Sequence, residues 1–94
     1  DQRLVSVDGI PAEIQLGPHM LFVRNEDRPG VVGQLGTILG EAGINIASFV
    51  LGRDAEKRHA VGVINTDGAV PEDVMSRFES LPLVRFACQV QLPD

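Results

Sequence analysis

The period of apolar positions changes several times along the chain, and each change marks an element. Leu4-Val5-Ser6-Val7 reads as a short strand and Asp8-Gly9 as a two-residue hairpin turn. Ile10, Ala12, Ile14 and Leu16 then alternate with Pro11, Glu13 and Gln15, which gives the returning strand one apolar face. Pro11 cannot donate to a ladder and predicts an edge position. A hairpin alone is marginal in water. Residues 1–18 are therefore expected to lean on the body of the domain or to be the hairpin and linker of a preceding one. Gly17-Pro18 is the break, and residues 19–94 are the domain proper.

A second strand is expected over residues 20–24, from the run Met20-Leu21-Phe22-Val23. Helical spacing follows over residues 29–42, with Val31, Val32, Leu35, Ile38, Leu39 and Ala42 on one face. Gly30, Gly33, Gly36 and Gly40 lie on the opposite face with Thr37. Glycine in a helix costs about 0.5–1 kcal/mol relative to alanine, so this face predicts a close neighbour. Gly43 ends the helix as a left-handed cap. Residues 44–51 form an uncharged, proline-free strand, and Gly52-Arg53-Asp54-Ala55-Glu56-Lys57 a polar turn. Over residues 58–65, Val61 and Val63 share one face of a strand, and Ala60, Gly62 and Ile64 the other. Thr66-Asp67-Gly68 is a loop. A second helix starts near Pro71, with Glu72 and Asp73 suiting its dipole. Val74, Phe78 and Leu81 are its buried stripe, and Pro82 ends it. The last strand, residues 83–92, turns Val84, Phe86, Cys88, Val90 and Leu92 inward and Arg85, Gln89 and Gln91 outward.

After the hairpin the order is β-α-β-β-α-β. This predicts an α+β, ferredoxin-like domain: a four-stranded antiparallel sheet, order 4-1-3-2 counting the body's own strands, with both helices on one face. The hairpin can cover part of the other face. The strand at residues 44–51 is then an edge, and an apolar, uncharged edge invites pairing. It is expected to pair with its copy in a homodimer, giving a continuous sheet across a two-fold axis.

Composition narrows the function. The chain has 94 residues with 44% hydrophobic content, enough for one domain with a modest core. It has no Trp or Tyr and four Phe, so that core is aliphatic. Eight basic against thirteen acidic residues give a net charge of −5, which argues against a nucleic-acid partner. No apolar run is long enough for a membrane span, and no secretory leader pattern opens the chain. A single cysteine, Cys88, fits a reducing, cytoplasmic setting. A start at Asp1 rather than Met reads as a piece of a longer protein.

Candidate chemistry concentrates in Asn25-Glu26-Asp27-Arg28-Pro29-Gly30-Val31-Val32, the corner between the second strand and the first helix. Asp27 is placed as an N-cap, and Pro29 in the first turn, where its missing N–H costs nothing. The free amides of Gly30, Val31 and Val32 with the helix dipole form an anion-binding corner. If the edge strand pairs with its copy, Asn45 of one subunit can approach the corner of the other. An amino acid suits such a site: its carboxylate takes helix-start amides and Asn donors, its ammonium takes Asp27 and carbonyls. The plain alternative makes Asp27 a helix cap and Asn45 a turn residue. Nothing supports catalysis or a metal. His19 and His59 are far apart and read as ordinary polar residues, and Cys88 as a structural thiol. Asp67, Glu72 and Asp73 lack metal-ligand spacing, and the glycines match no phosphate or dinucleotide loop.

Two blocks, Asn25 to Gly33 and Gly40-Glu41-Ala42-Gly43-Ile44-Asn45-Ile46-Ala47-Ser48, resemble the ACT domain, a regulatory amino-acid-binding module. The closest likeness is to the C-terminal ACT domains of D-3-phosphoglycerate dehydrogenases; those of L-serine dehydratases are an alternative. The likeness covers residues 19–94, and the leading hairpin resembles the end of the domain before it in long dehydrogenases. The resemblance implies L-serine at an interface between two ACT domains, feedback control, and an NAD-dependent parent with no cofactor in this fragment. Carried over residue by residue, the ligand site falls on Asn25, Asp27 and Asn45 with Ile46, and on the backbone of Gly30, Val31 and Val32. In serine-inhibited members the positions of Asn25 and Asp27 carry His and Asn. Here Asp27 adds a negative charge that disfavours a ligand carboxylate and favours an ammonium.

Overall fold

The computed structural model describes residues 2–7, 9–54 and 58–93. Its elements run β1 (Gln2–Val7), β2 (Ile10–Gln15), β3 (His19–Glu26), α1 (Val31–Glu41), β4 (Ile46–Asp54), β5 (His59–Thr66), α2 (Glu72–Glu79) and β6 (Val84–Gln91). β1 and β2 form a two-stranded antiparallel hairpin; the other strands form one sheet in the order β4-β5-β3-β6. This is the expected 4-1-3-2 order. Every pairing is antiparallel, so β4 and β3, both paired to β5, run parallel to each other.

Strand alternation sorts the apolar residues into two cores. On one face Leu21, Val23 and Ile64 meet Leu35 and Leu39 of α1 and Val74 and Phe78 of α2. On the other, Met20, Val61 and Val63 meet Ile10, Ala12 and Ile14 of β2. Residues of β3 and β5 that face either way are therefore covered, which fits their near-continuous apolar runs. The hairpin is a lid on the sheet's second face and shares a core with it. Gly43 (φ 75) ends α1, with its amide on the Gly40 carbonyl at 3.0 Å and that of Ile44 on Leu39 at 3.0 Å. These two bonds form a Schellman closure.

Five local expectations are corrected. First, α1 begins at Val31, and its N-cap is Gly30 (φ 93), with no side chain capping it. Asp27 is not the cap, and Pro29 lies before the helix rather than in its first turn. Gly30 takes a left-handed conformation that lets the chain turn sharply into the helix. Pro71 is likewise the N-cap of α2 rather than its first residue. Second, Val32 is 46% exposed and Ala42 is exposed, so the apolar stripe of α1 is narrower than the spacing predicts. Leu16, at 42%, also lies off the buried face of the hairpin.

Third, apart from the helix's own backbone no described residue comes within 4 Å of where a Cβ would stand on Gly33, Gly36 or Gly40, so the close neighbour expected there does not come from this chain's described residues. Fourth, β4 starts later and runs on through Arg53 and Asp54, pairing with Ala60 and His59. An edge strand tolerates charges because its side chains reach water. Fifth, β6 does not alternate evenly. Phe86 opposes Arg24 while Val84 opposes Asn25, so Arg85 is an extra residue in the ladder. Such a bulge reverses the parity on either side of it. Val84 and Ala87 join the helix-side core, whereas Phe86 and Val90 are left 46% and 37% exposed on the other face. Asp8 of the hairpin turn and residues 55–57 of the expected polar turn lie outside the described residues.

Candidate functional site

The corner after β3 is built by parity. Leu21 and Val23 face the helices, so Asn25, two residues on, is turned under the start of α1 and is 3% exposed. Its Nδ2 donates to the Glu26 carbonyl at 2.8 Å, while Oδ1 is buried with no described partner. A buried acceptor left unmade costs about 1–3 kcal/mol, so a donor is wanted there. The backbone is held just beyond, where the Asp27 amide donates to the Arg58 carbonyl at 2.8 Å. The first intrahelical bond of α1 runs from the Gln34 amide to the Gly30 carbonyl at 3.0 Å. By helix geometry the amides of Val31, Val32 and Gly33 precede it and face outward from the helix start.

Asn25, Asp27, Gly30, Val31 and Val32 line one cavity of about 240 Å³, with Arg28, Pro29, Leu51 and Arg53. Arg53 Nε stands 3.1 Å from Asp27 Oδ2. Arg85 holds Glu26 at 2.6 Å, and Arg28 lies 3.7 Å from the same carboxylate. The corner therefore gathers three guanidinium groups against two carboxylates in a chain of net charge −5. Two of the lining residues, Leu51 and Arg53, escape sequence reasoning. Leu51 follows Phe49 by two positions on the helix side of β4, and Arg53 is next in that series. The signal in the sequence is the alternation Phe49, Leu51, Arg53, which a charge at its end makes look like a turn.

Asn45 and Ile46 lie elsewhere in the chain. Because β4 runs parallel to β3, the start of β4 is beside the start of β3, at the end of the sheet away from the corner. β3 is eight residues long, so the separation is roughly 25 Å at about 3.3 Å per residue. Asn45 is bound to Asp67 there: its Nδ2 donates to Oδ2 at 3.0 Å, its amide to Oδ1 at 3.3 Å, and the Asp67 amide donates back to the Asn45 carbonyl at 3.2 Å. Ile46 is 38% exposed at the edge.

Among the described residues the remaining reactive side chains do not assemble. His59 Nδ1 lies 3.1 Å from the Arg24 guanidinium, which can only donate, so this nitrogen accepts. Cys88 is half-buried, and burial pushes its thiol up from its ordinary value, away from thiolate reactivity. Among the described residues no three of His, Cys, Asp and Glu come together as metal ligands would. No described helix is long and apolar enough to cross a membrane.

A sequence model of the ACT domain matches residues 19–83. The D-3-phosphoglycerate dehydrogenase of Synechocystis is 31% identical over 90 residues, covering 96% of this chain and 16% of that protein. The Methanocaldococcus jannaschii enzyme of the same name is 30% identical over 89 residues, 95% of this chain and 17% of that one. The Mycobacterium tuberculosis enzyme is 37% identical over 73 residues, 78% of this chain and 14% of that one. The chain thus spans only a small part of the length of these relatives. Among solved structures, a homoserine dehydrogenase from Thiobacillus denitrificans superposes with a TM-score of 0.66 at 22% identity, over 81% of this chain and 17% of that one. An uncharacterized Thermotoga maritima protein superposes with a TM-score of 0.55 at 18% identity, over 80% of this chain and 95% of that one. These two likenesses concern the fold alone.

Proposed function

The chain belongs to the ACT domain family, and from that premise we propose that its strand-to-helix corner binds a small amino acid, L-serine, as a regulatory signal. One observation carries this reading: a single cavity is lined by Asn25, whose buried Oδ1 has no described partner, by Asp27, and by Gly30, Val31 and Val32 at the start of α1. An ammonium suits the acceptors, and a carboxylate suits the amides and the positive end of the helix dipole.

The site is completed by a second copy. If β4 pairs antiparallel with its own copy across a two-fold axis, the start of one β4 lies against the end of the other. That brings Asn45 of the second copy toward Arg53 and Asp27, across the distance that separates them within one chain. The ligand would then bridge two subunits and bias their relative orientation, a coupling typically worth about 1–3 kcal/mol. The relatives suggest the parent: an NAD-dependent D-3-phosphoglycerate dehydrogenase of serine synthesis, restrained by the end product. Its catalytic residues and its NAD would be held outside these residues.

Calorimetric titration with L-serine is expected to give saturable heat; no heat and no thermal shift with any standard amino acid would sink the reading. A monomer in size-exclusion chromatography at micromolar concentration with saturating L-serine present would sink the edge pairing. Asn45→Ala is expected to weaken L-serine binding by roughly two- to tenfold, the value of one or two neutral hydrogen bonds. Because Asn45 is exposed, the thermal midpoint should move by only a few degrees.

A further inference from the structure

Arg53 has a role in the corner that neither its position nor its charge announces in the sequence. We propose that Asp27 and Arg53 are the two ends of a clamp for the zwitterionic head of an α-amino acid, which binds by inserting between them. This rests on the reading of the corner as an amino-acid site and names the group that selects the ligand class.

The two partners are unequally held. Asp27 is fixed by its amide on the Arg58 carbonyl at 2.8 Å, and its side chain is 28% exposed. The Arg53 side chain is 64% exposed and reaches Asp27 from the edge strand at 3.1 Å. A long, exposed guanidinium has more room to swing than a short, half-buried carboxylate on a pinned backbone. Of the other guanidinium groups of the corner, Arg85 holds Glu26 at 2.6 Å and does not line the cavity, while Arg28 lines it but is drawn to Glu26 at 3.7 Å; only Arg53 is already seated on Asp27. Arg53 is therefore the cation placed to take an incoming carboxylate.

Insertion keeps every charge paired. The ligand ammonium replaces the guanidinium at Asp27 and gives a second hydrogen to Asn25 Oδ1, whose lone pairs are otherwise unused. The ligand carboxylate takes the displaced guanidinium in a charge-assisted contact and the amides at the start of α1. One ion pair becomes two, and no charge is stranded. An amine without a carboxylate would displace Arg53 and leave it unpaired. A hydroxy acid without an ammonium would draw Arg53 to its carboxylate and leave the Asp27 charge facing only a neutral hydroxyl. The clamp thus selects zwitterions over both, and it reads the head of the ligand rather than its side chain.

The test uses the 94-residue chain with L-serine, ethanolamine and glycerate, comparing the wild type with Arg53→Gln and Arg53→Lys by calorimetry. Arg53→Gln is expected to raise the Kd for L-serine by about tenfold or more, the value of a hydrogen bond to a charged group. Arg53→Lys should recover part of the loss. Ethanolamine should bind Arg53→Gln no more weakly than the wild type, because Arg53 no longer competes for Asp27. Glycerate should bind the wild type more weakly than L-serine does. The clamp is overturned if Arg53→Gln binds L-serine as the wild type does, or if the substitution weakens L-serine and ethanolamine equally. If ethanolamine gives no heat with either chain, the L-serine comparison decides alone. A wild type that takes up no amino acid at all would instead overturn the amino-acid site itself, and the clamp with it.

Discussion

Phe78→Ala is expected to remove about 3–5 kcal/mol of unfolding free energy. Phe78 is 0% exposed and has the largest of the fully buried side chains. It descends from α2 into the core shared with Leu39, Val74 and Val84. The chain has four Phe and no Trp or Tyr, and the other three are half-buried or exposed. Phe49, the other aromatic packed against this core, is only half-buried and belongs to the edge strand β4. Small domains hold only about 5–15 kcal/mol in total, so the loss takes a large share of the stability. Urea unfolding should show a much lower midpoint at an unchanged slope. Phe86→Ala is the natural control: at 46% exposed it should cost no more than about 1 kcal/mol. Equal costs for the two substitutions would mean that the helix-side core is not where the fold's stability lies.

Gly52→Val should cost about 2–3 kcal/mol through overpacking, and the cost should fall on the hairpin. Gly52 is buried in β4 beneath β2. A Cβ there would stand 2.4 Å from the Pro11 carbonyl oxygen and 3.1 Å from the Ala12 Cβ. The first of these is backbone and cannot rotate away, so β2 must lift. Intrinsic preference points the opposite way, since valine is the better strand former; the close approach decides the sign. Amide hydrogen exchange should show β1 and β2 losing protection while α1 and α2 keep theirs. Gly62→Ala offers a contrast on the neighbouring strand. Its Cβ would stand 3.4 Å from the Phe49 ring, an ordinary contact, so the hairpin should be unaffected. Protection lost evenly across the chain in Gly52→Val would show that the hairpin and the sheet unfold as one unit.

The parts of the fold legible in the sequence are those governed by an unbroken period. β3, β5 and the buried stripes of both helices have one, and Gly43 marks the end of α1 by its own conformation. The misreadings arise where a period is interrupted by something the pattern does not encode. Arg85 enters the ladder of β6 as an extra residue and sends Val84 and Phe86 to opposite faces. A charge at Arg53 resembles a turn unless the strand is known to lie at an edge. Asp27 has the spelling of a helix cap, but the helix starts after Gly30 and the carboxylate turns to Arg53 instead. The chemistry of Asn25, Asp27, Gly30, Val31 and Val32 marks them in the sequence, and they meet in one cavity. Leu51 and Arg53, from a strand far along the chain, could be placed there only by the sheet's register.

The parallel course of β3 and β4 has a consequence for measurement. Asn45 and Asp27 stand at opposite ends of the same sheet, so a ligand that touches both must draw two chains together. Ligand affinity and self-association are then linked by mass action. Titrations at rising chain concentration should report progressively tighter L-serine binding until association saturates. L-serine should in turn lower the concentration at which the chain assembles. An affinity measured for such a site has meaning only beside the chain concentration at which it was obtained.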